Sequence, residues 1–172
     1  MWKPYYEILS RSSEDVVTTL PNLLIDSLMD VSGSKRKIKL ISKGKGHTES
    51  DLILYMPDDN IVFAGDILFN DCHPYMGHGF VGEWLSYLDF INELQPSAIV
   101  PGHGKISDKN DIIEMKDYLI TLNDIADKMI REGKTEDEIP DISIPRKYNH
   151  WLFDRFFVYN LNSLLSVKNN GN

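Results

Sequence analysis

Ile61-Val62-Phe63-Ala64-Gly65-Asp66 is an apolar run closed by a glycine and a carboxylate. A run of this length fits a strand, and it delivers one acidic side chain at the strand's end. Just upstream, Leu52-Ile53-Leu54-Tyr55-Met56 and the turn-forming Pro57-Asp58-Asp59-Asn60 complete a hairpin with it. Neither strand alternates cleanly between apolar and polar residues, so the pattern predicts layers packed on both faces of the sheet. Two more strand ends carry residue types that ligate metals. Gly46-His47-Thr48 precedes Leu52–Met56, and Pro101-Gly102-His103-Gly104 follows Ala98-Ile99-Val100.

Outward from this centre, Leu23-Leu24-Ile25 and Ile38-Lys39-Leu40-Ile41 flank Ser32-Gly33-Ser34 and read as another antiparallel pair. Trp84, Leu85, Leu88 and Ile91 recur at helical spacing from Glu83 to Leu94, and Pro96 stops that helix before Ala98–Val100. Strand, helix, strand is the order of an α/β chain, so the fold class is α/β (α+β). Beyond Asp108, the residues Ile112, Met115, Leu119, Leu122, Ala126 and Met129 mark one face of a long helix. Asp108 or Asn110 is available to cap it, and Gly133 to end it. Thr135 and Glu138 form a capping box, and Tyr148–Leu165 reads as an aromatic-rich helix carrying Trp151, Leu152, Phe156, Tyr159 and Leu164. Residues 1–19 have no clear period and read as an arm or helix; the main domain runs over 20–167, and 168–172 as a frayed tail.

The chain has 172 residues with 42% hydrophobic content, enough for one domain with its own core. Its 26 acidic and 18 basic side chains leave a net charge of -8. The basic residues are scattered apart from Lys35-Arg36-Lys37, so phosphate backbones are repelled and nucleic acid is excluded as an expected partner. The single Cys72 excludes an intrachain disulfide and a cysteine-based zinc knuckle. Met1 to Glu7 holds no apolar core of signal-peptide length, and no window approaches the roughly 20 apolar residues of a membrane span. The expectation is a cytoplasmic protein with no membrane contact.

His47, Asp66 and His103 would each be an ordinary loop residue alone. Placed at three ends of one sheet, they can converge with little conformational entropy left to lose. Imidazole with carboxylate suits zinc, iron(II) or manganese, and a carboxylate can bridge two ions. Glycines beside the candidates (Gly46, Gly65, Gly102, Gly104) permit close backbone approach. Thr48, Ser50 and Asp51 are placed to orient His47. His73 and His78 follow Asp66 in a loop and are additional candidate ligands, and Cys72 is either a thiolate ligand or a small buried residue. His150, on the aromatic segment, is expected in the core or at an interface.

Taken together, Gly46–Leu52, Ile61–Asp66 and Pro101–Gly104 resemble the later metal-binding motifs of the metallo-β-lactamase fold superfamily. The order of the motifs, their strand context and the helix between the last two all agree. Residues from about Leu20 to Leu165 look like the C-terminal part of such a protein, most similar to its glyoxalase-II-like and general metallo-hydrolase branch. The resemblance implies a partial αββα sandwich, a mixed sheet with C-terminal helices, and metal-hydroxide hydrolysis of an ester, thioester or lactone. Asp66 looks like that branch's bridging aspartate and is the expected catalytic residue. By resemblance His47 belongs to a first zinc ion, His103 to a second and Asp66 to both; iron or manganese would also suit.

The family also carries an HxHxDH motif in its N-terminal half, and this chain has none among its five histidines, His47, His73, His78, His103 and His150. Each ion would keep two protein ligands, below the three or four of a zinc site, so the chain alone is expected to bind metal weakly or not at all. Loss of one half of the sandwich would also bare a sheet face holding many of Ile53, Tyr55, Ile61, Phe63, Ile38 and Leu40. A homodimer or a separate N-terminal half is the expected cover. Two alternatives of other kinds stand beside the hydrolase: a non-catalytic dimeric remnant or interaction module, and a mononuclear non-haem iron protein using His47, Asp66 and His103 as a facial triad.

Overall fold

The computed structural model describes residues 3–13, 16, 17, 19–77 and 79–169. After a first helix α1 (Lys3–Ser12), β1 (Leu28–Ser32), β2 (Lys37–Gly44), β3 (Asp51–Met56) and β4 (Ile61–Phe69) run as an antiparallel meander. β5 (Ala98–His103) joins parallel to β4, completing a five-stranded sheet in the order β1-β2-β3-β4-β5. A parallel neighbour cannot be reached by a tight turn, and α2 (Val81–Glu93) makes the crossover. α3 (Lys109–Arg131), a 3-10 turn (Glu136–Asp141) and α4 (Arg155–Asn169) follow. This is the mixed sheet with C-terminal helices that the resemblance implies. None of the described helices is long and apolar enough to cross a membrane.

α2, α3 and α4 share one buried cluster with one face of the sheet. Ile53, Val62, Ala64 and Ile99 lie in it with Trp84, Leu88 and Ile91 of α2 and with all six apolar residues expected on the face of α3. Full burial of each such large side chain is worth about 1.5–3 kcal/mol, so α3 is held by its stripe rather than by helix propensity. Asp108 caps α3 in a reciprocal box with Asp111, and Gly133 follows it at φ +67°.

The other face departs from the expectation of layers on both sides. Strand register aligns Met29, Leu40, Leu54, Phe63 and Val100 in one row and Val31, Ile38, Met56, Ile61 and Ala98 in the next. None of these ten is buried, and Phe63 keeps 41% of its surface exposed. Ile53 and Tyr55, expected on the bare face, lie on the helix-covered side. Side chains alternate along a strand, and pairing of Leu54 with Phe63 puts Leu54 and Met56 on the open face instead.

Two boundaries also differ. The first hairpin pairs Leu28 with Ile41 and Ser32 with Lys37, leaving Leu23 and Leu24 exposed, because its turn closes through the Gly33 N–H to the Arg36 carbonyl at 3.0 Å. α4 begins at Arg155 and not at Tyr148. Leu152 is committed to the loop after β4, its N–H donating to Asp71 and its carbonyl accepting from His73, both at 2.9 Å. Phe153 then adopts φ +63°, which no right-handed helix accommodates.

Candidate metal centre

Asp66 sits where β4 bends. Gly65 at φ +54° breaks the regular register with β5, and Asp66 emerges opposite Gly102. The fit is tight: a Cβ on Gly102 would lie 2.1 Å from Asp66 Oδ1 and 2.7 Å from the Gly65 carbonyl carbon. Gly104, at φ +98°, likewise meets the Asn70 backbone, and Gly46 meets Ile67, Asp51 and Tyr87. Glycine is thus required at Gly102 and Gly104 by the closeness of neighbouring backbone, whereas Gly46 meets side chains only.

His47 and His103 both approach Asp66, each nearest a different oxygen of the carboxylate. His47 Nδ1 lies 4.0 Å from Oδ2 and His103 Nε2 lies 3.6 Å from Oδ1. The two carboxylate oxygens are therefore divided, one to each histidine. His47 is the shielded member, its side chain 14% exposed, whereas Asp66 and His103 are open at 44% and 52%. The His103 backbone is held by the Asn70 N–H at 3.0 Å, and its ring stacks on Phe69 with centroids 5.0 Å apart.

The tautomer of His47 follows from its other nitrogen. Nε2 lies 2.8 Å from the Tyr75 carbonyl, which only accepts, so Nε2 carries the proton. In the neutral ring Nδ1 is then a lone pair aimed at a carboxylate, an arrangement that a cation between them relieves. The ring is also packed edge-on to fully buried Trp84, at 5.1 Å between centroids, and Trp84 donates its indole N–H to the Ile67 carbonyl at 2.8 Å. Thr48 and Asp51, expected to orient His47, instead bond each other and fix the loop backbone: Asp51 accepts from the Thr48 N–H at 3.0 Å and from its hydroxyl at 2.9 Å. Tyr75, Phe69 and Trp84 were not legible as neighbours of the site. Tyr75 acts through its carbonyl, which any residue has, and the two aromatics look like ordinary core.

The remaining candidates lie elsewhere. His73 is fully buried among Tyr118, Trp151 and Phe157, and its Nδ1 is 2.8 Å from the Tyr118 hydroxyl. Burial pushes its pKa below the ordinary histidine value. Cys72 is buried and its thiol pKa is pushed up, again by burial, the opposite of an activated thiolate. His150, expected in the core or at an interface, is exposed and sits 3.8 Å from Asp71. His78 lies outside the described residues. A cleft of about 940 Å³ opens beside the His47 loop, lined by Thr48, Glu49, Met76, Phe80, Asn123 and Leu164 among others.

His47 and His103 thus each lie near one oxygen of the Asp66 carboxylate. Among the described residues no group of three His, Cys, Asp or Glu side chains is gathered closely enough to hold a metal ion. The donors fit a metal in kind and in orientation, and fall short of one in number.

Comparison with known proteins finds a family likeness over the same stretch of chain. Residues 30–103, which include all three converging side chains, match the family model of the metallo-beta-lactamase superfamily. A metallo-beta-lactamase type 2 of Bacillus cereus is 23% identical over 100 residues, covering 55% of this chain and 39% of that protein. The chain therefore spans well under half the length of that relative. Among solved structures, a metallo-beta-lactamase from Pontibacter korlensis superposes with a TM-score of 0.54 at 16% identity, covering 66% of this chain and 55% of the other. A sec-alkylsulfatase from Pseudomonas sp. gives 0.63 at 15% identity, over 86% of this chain and 26% of that one. At such identities the structural likeness speaks for the fold alone, and with the family match it carries one conclusion: over residues 30–103 the chain is similar to the metallo-beta-lactamase superfamily, a hydrolase-like family.

Proposed function

We propose that this chain supplies the later ligands of a metal-dependent hydrolase site, acting on an ester, thioester or lactone once the earlier ligands are provided. The division of Asp66 between two histidines carries this reading. His47 would hold one zinc ion through Nδ1, His103 a second, and Asp66 both; iron or manganese would suit the same donors. Bound metal would supply the nucleophile for hydrolysis and polarise the substrate carbonyl. The chain's own part is positional. Gly102 leaves room for the Asp66 carboxylate, the Tyr75 carbonyl fixes the His47 proton on Nε2, and Phe69 backs the His103 ring. The cleft beside the His47 loop is within the size range of small-molecule sites.

The substrate class rests on the aspartate at position 66 and on the resemblance to the general metallo-hydrolase branch. The similar proteins named above act, by their names, on a β-lactam and on a secondary alkyl sulfate, so the shared fold does not choose between substrates. The ligand set and the open sheet face together support a further layer packed on this sheet: an N-terminal half carrying HxHxDH, or a second copy covering the apolar rows. A single cysteine, with no disulfide to maintain, supports a cytoplasmic setting.

Thioester and lactone hydrolysis measured with zinc, with and without a complementary N-terminal fragment, tests the proposal. Activity that appears only on mixing and disappears with Asp66→Ala supports it; no gain on mixing sinks it. A second reading, a non-catalytic dimeric interaction module, is favoured by the shortage of ligands and by the bare apolar face. A metal ion held stoichiometrically through purification would count against that second reading.

A further inference from the structure

Asn160 is fully buried in α4, far in sequence from every candidate ligand. Its side-chain amide spans two points of the loop after β4. Oδ1 accepts from the Met76 N–H and Nδ2 donates to the Pro74 carbonyl, both at 2.8 Å. The partners leave no freedom in the amide's orientation, since an N–H only donates and a carbonyl only accepts. Binding the carbonyl before a residue and the N–H after it is how a parallel strand grips its neighbour. The residue so bracketed is Tyr75, and its own carbonyl is the group that receives the His47 Nε2 proton.

We infer that Asn160 is a positioning residue for His47: by clamping Pro74 and Met76 it aims the Tyr75 carbonyl, which fixes the His47 tautomer and turns the Nδ1 lone pair toward Asp66. Tyr118 touches the amide from the side, its hydroxyl 3.4 Å from Asn160 Nδ2 and 2.8 Å from His73 Nδ1. A helix at the end of the chain is thereby coupled to a ligand near its start through two hydrogen bonds and one carbonyl. The inference rests on reading His47 as a ligand, and it extends that reading to a residue outside the family match over 30–103.

The tautomer of His47 can be read without metal, from imidazole nitrogen shifts and long-range proton–nitrogen correlations at about pH 8, where histidines are neutral. In the unaltered chain His47 is expected to carry its proton on Nε2. Asn160→Ala and the isosteric Asn160→Asp, which keeps the acceptor for Met76 but loses the donor to Pro74, should move the His47 nitrogens toward a mixture of tautomers. Tyr118→Phe removes the lateral contact and leaves both clamp bonds, so it should lower stability while leaving the His47 pattern in place. In the complemented site the Asn160 variants should lose cobalt affinity by about 10–100-fold, the usual scale for a group that orients a ligand. A proton on Nδ1 in the unaltered chain overturns the inference, and so does an unchanged His47 pattern in folded Asn160→Asp. Should Asn160→Ala fail to fold, those two measurements still decide. An intact tautomer with no metal binding would instead count against the hydrolase reading alone.

Discussion

At the scale of single residues, the site depends on what is missing as much as on what is present. Gly102 faces backbone and a carboxylate at distances that a methyl group cannot occupy. Gly102→Ala should therefore destabilise the fold by about 1–3 kcal/mol in urea unfolding, the cost of overpacking, and displace Asp66. Gly82→Ala, in the first turn of α2 with nothing near its virtual Cβ, should be neutral or stabilising by up to about 1 kcal/mol. Equal losses in the two variants would remove the close approach from the account. His73 offers a test by pH. The unfolded chain binds a proton there at about pH 6.5, the folded chain only at lower pH because burial disfavours the charged ring. His73's contribution is thus fully present above pH 6.5 and lost as pH falls toward its folded pKa, with a slope of up to about 1.4 kcal/mol per pH unit. His73→Phe should flatten that slope below about pH 6.5; an unaltered slope would mean the proton is taken up elsewhere.

At the scale of elements, legibility followed the strength of local signals. The α3 stripe, its Asp108 cap and its Gly133 stop are all short-range patterns, and each stands as read. Asp108→Ala should cost about 1 kcal/mol in thermal or urea unfolding, and a loss below about 0.3 kcal/mol would mean that Asp111 holds the helix start without it. The start of α4 was not legible. Tyr148 to Leu152 has helical composition, but Leu152 exchanges backbone hydrogen bonds with the loop after β4, a contact across 79 or more positions that no local window contains. The bare face of the sheet was foreseen but partly misassigned, because which of Leu54 and Ile53 points outward is set by register against β4. In the site, the residue types at strand ends were visible in the sequence. The groups that aim them, Asn160 and the Tyr75 carbonyl, were not, since neither has a distinctive pattern.

For the whole molecule, the proposal joins the open sheet face to the donors around Asp66. Two apolar rows without a buried residue lie on the sheet that carries the three donors, and the proposed further layer would cover those rows and add ligands. Phe63→Lys on the open face should leave the unfolding free energy of the isolated chain within about 1 kcal/mol, because that side chain is already exposed. The same change should abolish association with a partner layer, read by light scattering; association that survives it would place the contact elsewhere. Metal stoichiometry tests the central claim most directly. Zinc should be lost from the isolated chain on gel filtration, and one or two ions should be retained when it is mixed with a polypeptide bearing HxHxDH, with retention abolished by Asp66→Ala. A stoichiometric ion held by the isolated chain, or no retained zinc after mixing, would contradict the assignment of His47, Asp66 and His103 as half of a shared metal site.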